Sequence, residues 1–291
     1  MHCPGCLGLL MTSPRLLLCT DLDRTLIPNG EQEESPDARI CFSRLAANEQ
    51  VTLVYVTGRH KELVEEAIDS YSLPAPDMVI SDVGTTIYDI QMNNWNPWKS
   101  WEQEISPQWS GFSHADLYRL FQNLSSLIPQ EPEKQNTYKL SYTLPLDVNV
   151  NDLTHEMEEL LGRNGIHASL IYSIDEAANV GLLDVLPRNA TKLHAIQFVR
   201  EQMGVSLPET VFSGDSGNDM PVLVSEIQGI LVANATTEVR DQAKSQAAQN
   251  GHTGALYIAK GGYLGMNGNY SAGILEGIVH YCPYARQWIE P

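Results

Sequence analysis

The chain has 291 residues, 43% of them hydrophobic and 19% charged, enough apolar material for one large or two smaller domains and too little charge for a disordered chain. Its formal charge of −18 leaves no broad basic face to neutralise a nucleic acid or an anionic membrane. No apolar run approaches the roughly 18 residues of a membrane span, so a soluble, cytoplasmic protein is expected.

At the start, LGLLM is too short and lacks the basic flank of a secretion signal. Cys3 and Cys6 form a lone C-P-G-C without a partner pair, and Cys19, Cys41 and Cys282 are scattered, which is no disulfide framework. Met11 is an alternative start. RLLLCT (15–20) and VTLVYV (51–56) are short apolar runs expected as strands buried on both faces. Between them, Ser35-Pro36 is expected to cap a helix over 36–48 carrying Ile40, Phe42 and Leu45. HKELVEEAIDSY (60–71) places Leu63, Val64, Ala67, Ile68 and Tyr71 on one helical stripe. With a strand at DMVIS (77–81), the order β-α-β-α-β predicts an α/β fold with a Rossmann-like parallel sheet.

The texture then changes. Residues 92–110 hold four tryptophans, at 95, 98, 101 and 109, expected to pack a hinge and cap. A helix over 115–127, a strand KLSYTL, a helix over 152–163 and strands HASLIYS and VGLLDVL follow, with the polar alternation of a sheet open on one face. Parallel texture returns with a helix near 191–203, TVFSG, a short helix, GILVA and SAGILEGIVHY. The expected organisation is a core of 12–91 and 187–291, interrupted by an inserted α/β cap over 92–186.

Four polar segments follow or flank the core strands: DLDRT (21–25), TGR (57–59), PRNATK (187–192) and GDSGND (214–219). In an open parallel sheet such segments meet at the carboxyl ends of the strands. Two carboxylates 4 Å apart repel by roughly 4 kcal/mol at an effective dielectric near 20, so converging acids require protons or a cation. Hard oxygen ligands in a partly open site suit Mg2+, with Asp21, Asp23, Asp215 and Asp219 as candidate ligands. Beside such an ion, Asp21 is placed to attack phosphorus, and Asp23 to protonate the leaving oxygen and later deprotonate water. Thr57 and Lys192 would hold the equatorial oxygens; Thr25, Gly58 and Asn218 stand next to the phosphate or behind the metal ligands.

In their order and spacing these segments resemble the four motifs of haloacid dehalogenase (HAD) superfamily phosphatases, over about residues 15–281. The insertion sits where that family carries its C2-type cap, and the blocks TDLDRTL, YVTGRH, DVGTTIY, YKLSY, LLDVLP, GDSGNDM and YSAGILEGIVHY look like sucrose-phosphate phosphatases. The resemblance implies a Mg2+-dependent phosphatase whose cap selects a sugar phosphate, through an aspartyl phosphate. It also implies substrate contacts from Lys139 and Tyr142 on a cap strand, and from Gly84, Thr85 and Asn189. Threonines replace an acid often found beside Gly84, Leu193 follows the lysine where glycine is common, and the glycine-rich stretch 259–269 is additional. The sugar therefore stays open among sucrose 6-phosphate, mannosylfructose phosphate, and mannosyl- or glucosylglycerate phosphate. A phosphohexomutase and a non-catalytic sugar-phosphate-binding module are the rival readings, and a glycosyltransferase that makes the phosphorylated disaccharide is the expected partner.

Overall fold

A computed structural model describes residues 15–92, 94–175 and 178–290. The Cys3–Cys6 pair and Met11 lie outside the described residues. The first strand, β1 (Leu16–Thr20), is buried along its whole length. Leu16 and Leu18 face one apolar cluster, and Leu17 and Cys19 face another on the opposite side of the sheet. Leucines on both faces follow from the two-residue period of a strand covered on both sides. Helix α1 (Ala38–Ala46) adds Phe42 and Leu45 to the first cluster. Its N-cap is Asp37 rather than Ser35, because the Ser35 hydroxyl accepts a hydrogen bond from the Asn267 amide at 2.8 Å.

Strand β2 (Val51–Val56), helix α2 (Lys61–Tyr71) and strand β3 (Met78–Ser81) complete the first half as expected. Only Val64 and Ala67 of the α2 stripe are fully buried. Strands β4 (Thr86–Gln91) and β5 (Asn94–Pro97) then run antiparallel beside β3 in the same sheet. Helix α3 (Lys99–Ile105) sends Trp101 and Ile105 into the core's second cluster, whereas Trp109 belongs to the cap's own cluster. The chain therefore leaves the core between 105 and 109, later than the expected boundary at 92. Three of the four tryptophans, Trp95, Trp98 and Trp101, pack on the core side of the junction: Trp98 packs edge-on against Phe198, with ring centroids 5.6 Å apart.

The cap comprises α4 (His114–Phe121), β6 (Ile128–Pro129), β7 (Leu140–Leu144), α5 (Val150–Arg163), β8 (Ala168–Asp175) and β9 (Val180–Pro187). Its sheet, in the order β6-β7-β9-β8, is antiparallel throughout. Leu117, Phe121, Met157 and Leu161 from its two helices pack on inward residues such as Leu140, Tyr142, Leu183 and Val185. Ser113 opens α4 with a reciprocal capping box to Asp116.

Helix α6 (Lys192–Gln202) re-enters the core, followed by β10 (Thr210–Gly214), α7 (Met220–Leu223), β11 (Gln228–Leu231), α8 (Thr237–Gln249), β12 (Leu256–Ile258), α9 (Ser271–Tyr281) and α10 (Arg286–Ile289). The core sheet runs β12-β11-β10-β1-β2-β3-β4-β5. From β1 the chain builds outward through β2 and β3, then returns to the other side of β1 with β10. The order reverses between β1 and β10, which makes the crevice beyond their carboxyl ends the place for a ligand.

Candidate active site

Asp21 follows the last residue of β1, and Asp215 follows the last residue of β10, so the reversal sets the two acids side by side. Asp219 comes from the short 3-10 turn Gly217–Asp219 that enters α7. Carboxylate oxygens of Asp21, Asp215 and Asp219 all lie within 4.8 Å of one another, and all three residues are buried. Lys192 is the first residue of α6, where the helix dipole disfavours a cation. Two acids offset that: its ammonium donates to Oδ1 of Asp21 at 2.9 Å and to Oδ1 of Asp219 at 2.7 Å.

The remaining oxygen of Asp219 accepts from the Asp215 amide at 3.2 Å and from the Ser216 amide and hydroxyl at 3.3 Å each. Ser216 escaped the reading of function, although S-G-N-D is a recognisable capping box that fixes Asp219. Asp215 is the least committed acid, with Oγ1 of Thr25 at 3.4 Å from Oδ1 and Nε of Arg24 at 3.4 Å from Oδ2.

Burial pushes the Asp21 carboxyl up to about 8; Lys192 opposes this, and Asp219 and Asp215 add to it. Asp215 is raised to about 6 by burial and by Asp219, with Arg24 working against both. Burial alone would lower the Lys192 ammonium, but Asp21 and Asp219 overcome it and the net shift is upward. Three carboxylates face one buried ammonium and one partly exposed guanidinium, that of Arg24, and the excess of negative charge is what a divalent cation would balance. Repulsion of roughly 3 kcal/mol per carboxylate pair at an effective dielectric near 20 points the same way. The donor set, all carboxylate oxygen, fits Mg2+.

Asp23 stands apart from that cluster, against the expectation that its side chain joins the metal ligands. Arg59 holds it in a two-pronged fork, Nε to Oδ2 at 2.8 Å and Nη2 to Oδ1 at 2.7 Å, and Nδ2 of Asn29 donates to Oδ1 at 2.7 Å. Burial favours the neutral acid, but these bonds prevail and the carboxyl sits below its ordinary range. Arg24, the residue after Asp23, is held at a φ of 58° while its carbonyl accepts from Nδ2 of Asn234. Thr57 is buried at the end of β2, and its hydroxyl accepts from the Arg59 amide at 3.2 Å; the cap of α2 is His60. Gly58 lies beside it with open space at its Cα (the nearest atom to an added Cβ, on Val83, is 3.9 Å away). Asn218 sits at the rim, where its Oδ1 accepts from the Ser216 hydroxyl at 2.7 Å.

The cap residues divide. Lys139 faces the core, where its ammonium lies 3.2 Å from Oδ1 of Asp82, both side chains being less than one-tenth exposed. Tyr142 does not reach the cleft: it is 2% exposed, in the cap cluster against Phe121. The cause is strand periodicity, since residues three apart point to opposite faces. Thr85 is buried, donating to the Asp82 carbonyl at 3.0 Å and accepting from Asn136 at 2.9 Å. Asn189 reaches the Glu104 carbonyl at 3.3 Å. Gly84, at a φ of 98°, packs on the backbone that carries the motif lysine: a Cβ there would sit 2.7 Å from the Thr191 carbonyl carbon and 3.0 Å from the Lys192 nitrogen. Asp82 went unread as a site residue, although DVGTTIY contained it. The stretch 259–269 wraps the segment after DLDRTL, with Asn267 and Asn269 side chains donating to the Glu33 carbonyl.

Comparison with known proteins fits this geometry. A family model described as sucrose-6F-phosphate phosphohydrolase matches residues 14–282. A putative HAD-like hydrolase of Nitrosococcus oceani is 51% identical over 95% of this chain and 74% of its own. Sucrose-phosphatase 1 of Nicotiana tabacum is 29% identical over 79% of this chain, which spans only 53% of that longer enzyme. The mannosylfructose-phosphate phosphatase of Agrobacterium fabrum is also 29% identical, over 78% of this chain and 86% of its own. Among solved structures, the sucrose-phosphatase of Synechocystis in complex with sucrose and phosphate superposes with a TM-score of 0.68 at 25% identity, over 92% of this chain and 98% of its own.

Proposed function

The chain belongs to the sucrose-6F-phosphate phosphohydrolase family, phosphoric monoester hydrolases of the haloacid dehalogenase superfamily, and from that premise we propose that it releases phosphate from a phosphorylated disaccharide with the help of Mg2+. The observation that carries this reading is the bridge of Lys192 between Asp21 and Asp219, with Asp215 alongside. It assembles a nucleophile, an ammonium for the phosphoryl oxygens and a three-carboxylate cation site in one crevice.

Asp21, Asp215 and Asp219 would hold the ion, which when bound supplies positive charge against the phosphoryl oxygens. Lys192 engages Oδ1 of Asp21, so Oδ2 is the oxygen that attacks phosphorus to give the aspartyl phosphate. Lys192 and the Thr57 hydroxyl receive the equatorial oxygens as charge spreads over them. Asp23 delivers a proton to the departing sugar oxygen and then takes one from water. Held by Arg59 it is ionised and has no proton to give, so it must leave the fork and take up a proton from solvent, and substrate entry and release of Asp23 from Arg59 belong to one step. The Lys139–Asp82 pair, at the seam of cap and core, is the candidate contact for sugar hydroxyls.

Equal identity to enzymes named for sucrose phosphate and for mannosylfructose phosphate supports a fructose-containing disaccharide phosphate. A glycosyltransferase would supply it. No helix among the described residues is long and apolar enough to cross a membrane, and Cys19, Cys41 and Cys282 are free and buried; both support a cytoplasmic setting. Phosphate release from sucrose 6-phosphate, mannosylfructose phosphate and simple hexose phosphates, measured with Mg2+ and with excess EDTA, tests the proposal. Turnover should be Mg2+-dependent and highest on a disaccharide phosphate. Failure on every sugar phosphate, or full activity in EDTA, refutes it.

A further inference from the structure

A second cavity, of about 700 Å3, lies along β12, the edge strand at the far end of the core sheet. Strand β12 is two places from β10 and three from β1, roughly 10 and 14 Å away at about 4.8 Å per strand, and none of the cavity's lining residues belongs to the catalytic crevice. Its lining includes Arg240 and Lys244 from α8, Lys260 just past β12, and His280 near the end of α9, with no aspartate or glutamate among the lining residues. That is unusual in a chain whose acids outnumber its lysines and arginines two to one.

These cations are also left available. Among the described residues, Arg240 and Lys260 have no carboxylate within ion-pair reach, and Lys244 meets only the exposed Asp241 at 3.7 Å. Arg240 donates through Nη2 to the Ala233 carbonyl, and its Nε is buried without a partner. Glu276 of α9 has both oxygens occupied, by the Tyr257 hydroxyl at 2.7 Å and the amides of Lys260 and Gly261 at 2.9 and 2.8 Å. The Tyr257 ring on the floor is stacked by His280 at a centroid distance of 4.4 Å. A volume in the range of small-ligand sites, cationic walls and an aromatic floor together suit an anion attached to a larger body.

We propose that this cavity binds a phosphate-bearing small molecule at a site distinct from the catalytic crevice. The inference does not depend on the hydrolase reading, because its test needs no turnover. Radiolabelled orthophosphate is equilibrated by dialysis against metal-free protein in EDTA, at low ionic strength where such contacts are least screened. Saturable binding is expected, and the double variant Lys244→Ala/Lys260→Ala, which alters two exposed side chains, should weaken it by at least about tenfold with Tm unchanged. Displacement of the label by glucose 6-phosphate or by ATP then tells a sugar phosphate from a nucleotide, and displacement by neither overturns the proposal. Absence of binding, or binding that the double variant leaves intact, overturns the proposal.

Discussion

Lys192 and Asp21, 171 positions apart in sequence, meet at 2.9 Å inside the crevice, both nearly sealed from solvent. Taking away one partner of a buried ion pair typically costs about 3–5 kcal/mol, because the other charge stays buried and unpaired. Lys192→Met is therefore expected to lower Tm in the metal-free protein and to regain part of that loss when Mg2+ is added. Turnover should fall on the order of 10²- to 10³-fold, the usual effect of removing a donor aimed at transition-state charge. Calorimetry and phosphate release measure the two effects; native turnover would remove Lys192 from the reaction.

Asp21→Asn separates chemistry from folding. The amide keeps the shape but lacks the nucleophilic charge, so phosphate release should vanish. It also removes one of three crowded carboxylates while Lys192 keeps Asp219 as its charge partner, so, unlike Lys192→Met, the metal-free protein should keep or raise its Tm. Native-rate hydrolysis by this variant would reassign the nucleophile.

Gly84 serves the active site from behind. Its φ of 98° disfavours any side chain, and a Cβ would press on the Thr191 carbonyl and the Lys192 nitrogen. Gly84→Ala should therefore displace the start of α6 and reduce kcat by at least about tenfold, with a stability loss of roughly 1–3 kcal/mol. Kinetics and thermal melts of the same preparation check this. A variant with unchanged kcat would show that the contact does not position the lysine.

The pair Lys139–Asp82 ties the cap to the core out of water. Lys139→Met alone should destabilise by about 3–5 kcal/mol, leaving a buried acid without its cation, whereas Lys139→Met/Asp82→Leu should recover most of that loss. If the single and double variants melt together, the pair contributes nothing to docking.

The motif acids and lysine were legible because their spacing relative to apolar strands is local, and the sheet rule then brings them together. Asp23's partner was not: the Arg59 fork depends on side-chain directions that alternation along a chain does not encode. Tyr142 was misplaced for want of a strict two-residue count from Lys139. Helix α8 went unread because it buries little more than Ala243 and Ala247, too weak a stripe to stand out. The core–cap boundary was set too early because a tryptophan-rich run reads the same whether it packs a hinge or a core.

The crowding of acids around Asp215 and Asp21 also has a pH signature. Burial, with neighbouring acids, raises Asp215 to about 6 and Asp21 to about 8, Arg24 and Lys192 respectively limiting the rise. In the unfolded chain both carboxyls titrate near 3.8, so from there upward the folded protein holds protons that the unfolded chain has released. Stability from this source is full below about pH 4 and is lost as pH rises through the folded-state values. A divalent ion replaces those protons and competes with them. The rise in Tm on adding Mg2+ should therefore be larger at about pH 8 than at about pH 5, and Asp215→Asn should flatten the difference. Differential scanning calorimetry with Mg2+ and with EDTA at both values measures it. A Mg2+ effect as large at the lower pH would mean that the three carboxylates are not the site of the ion.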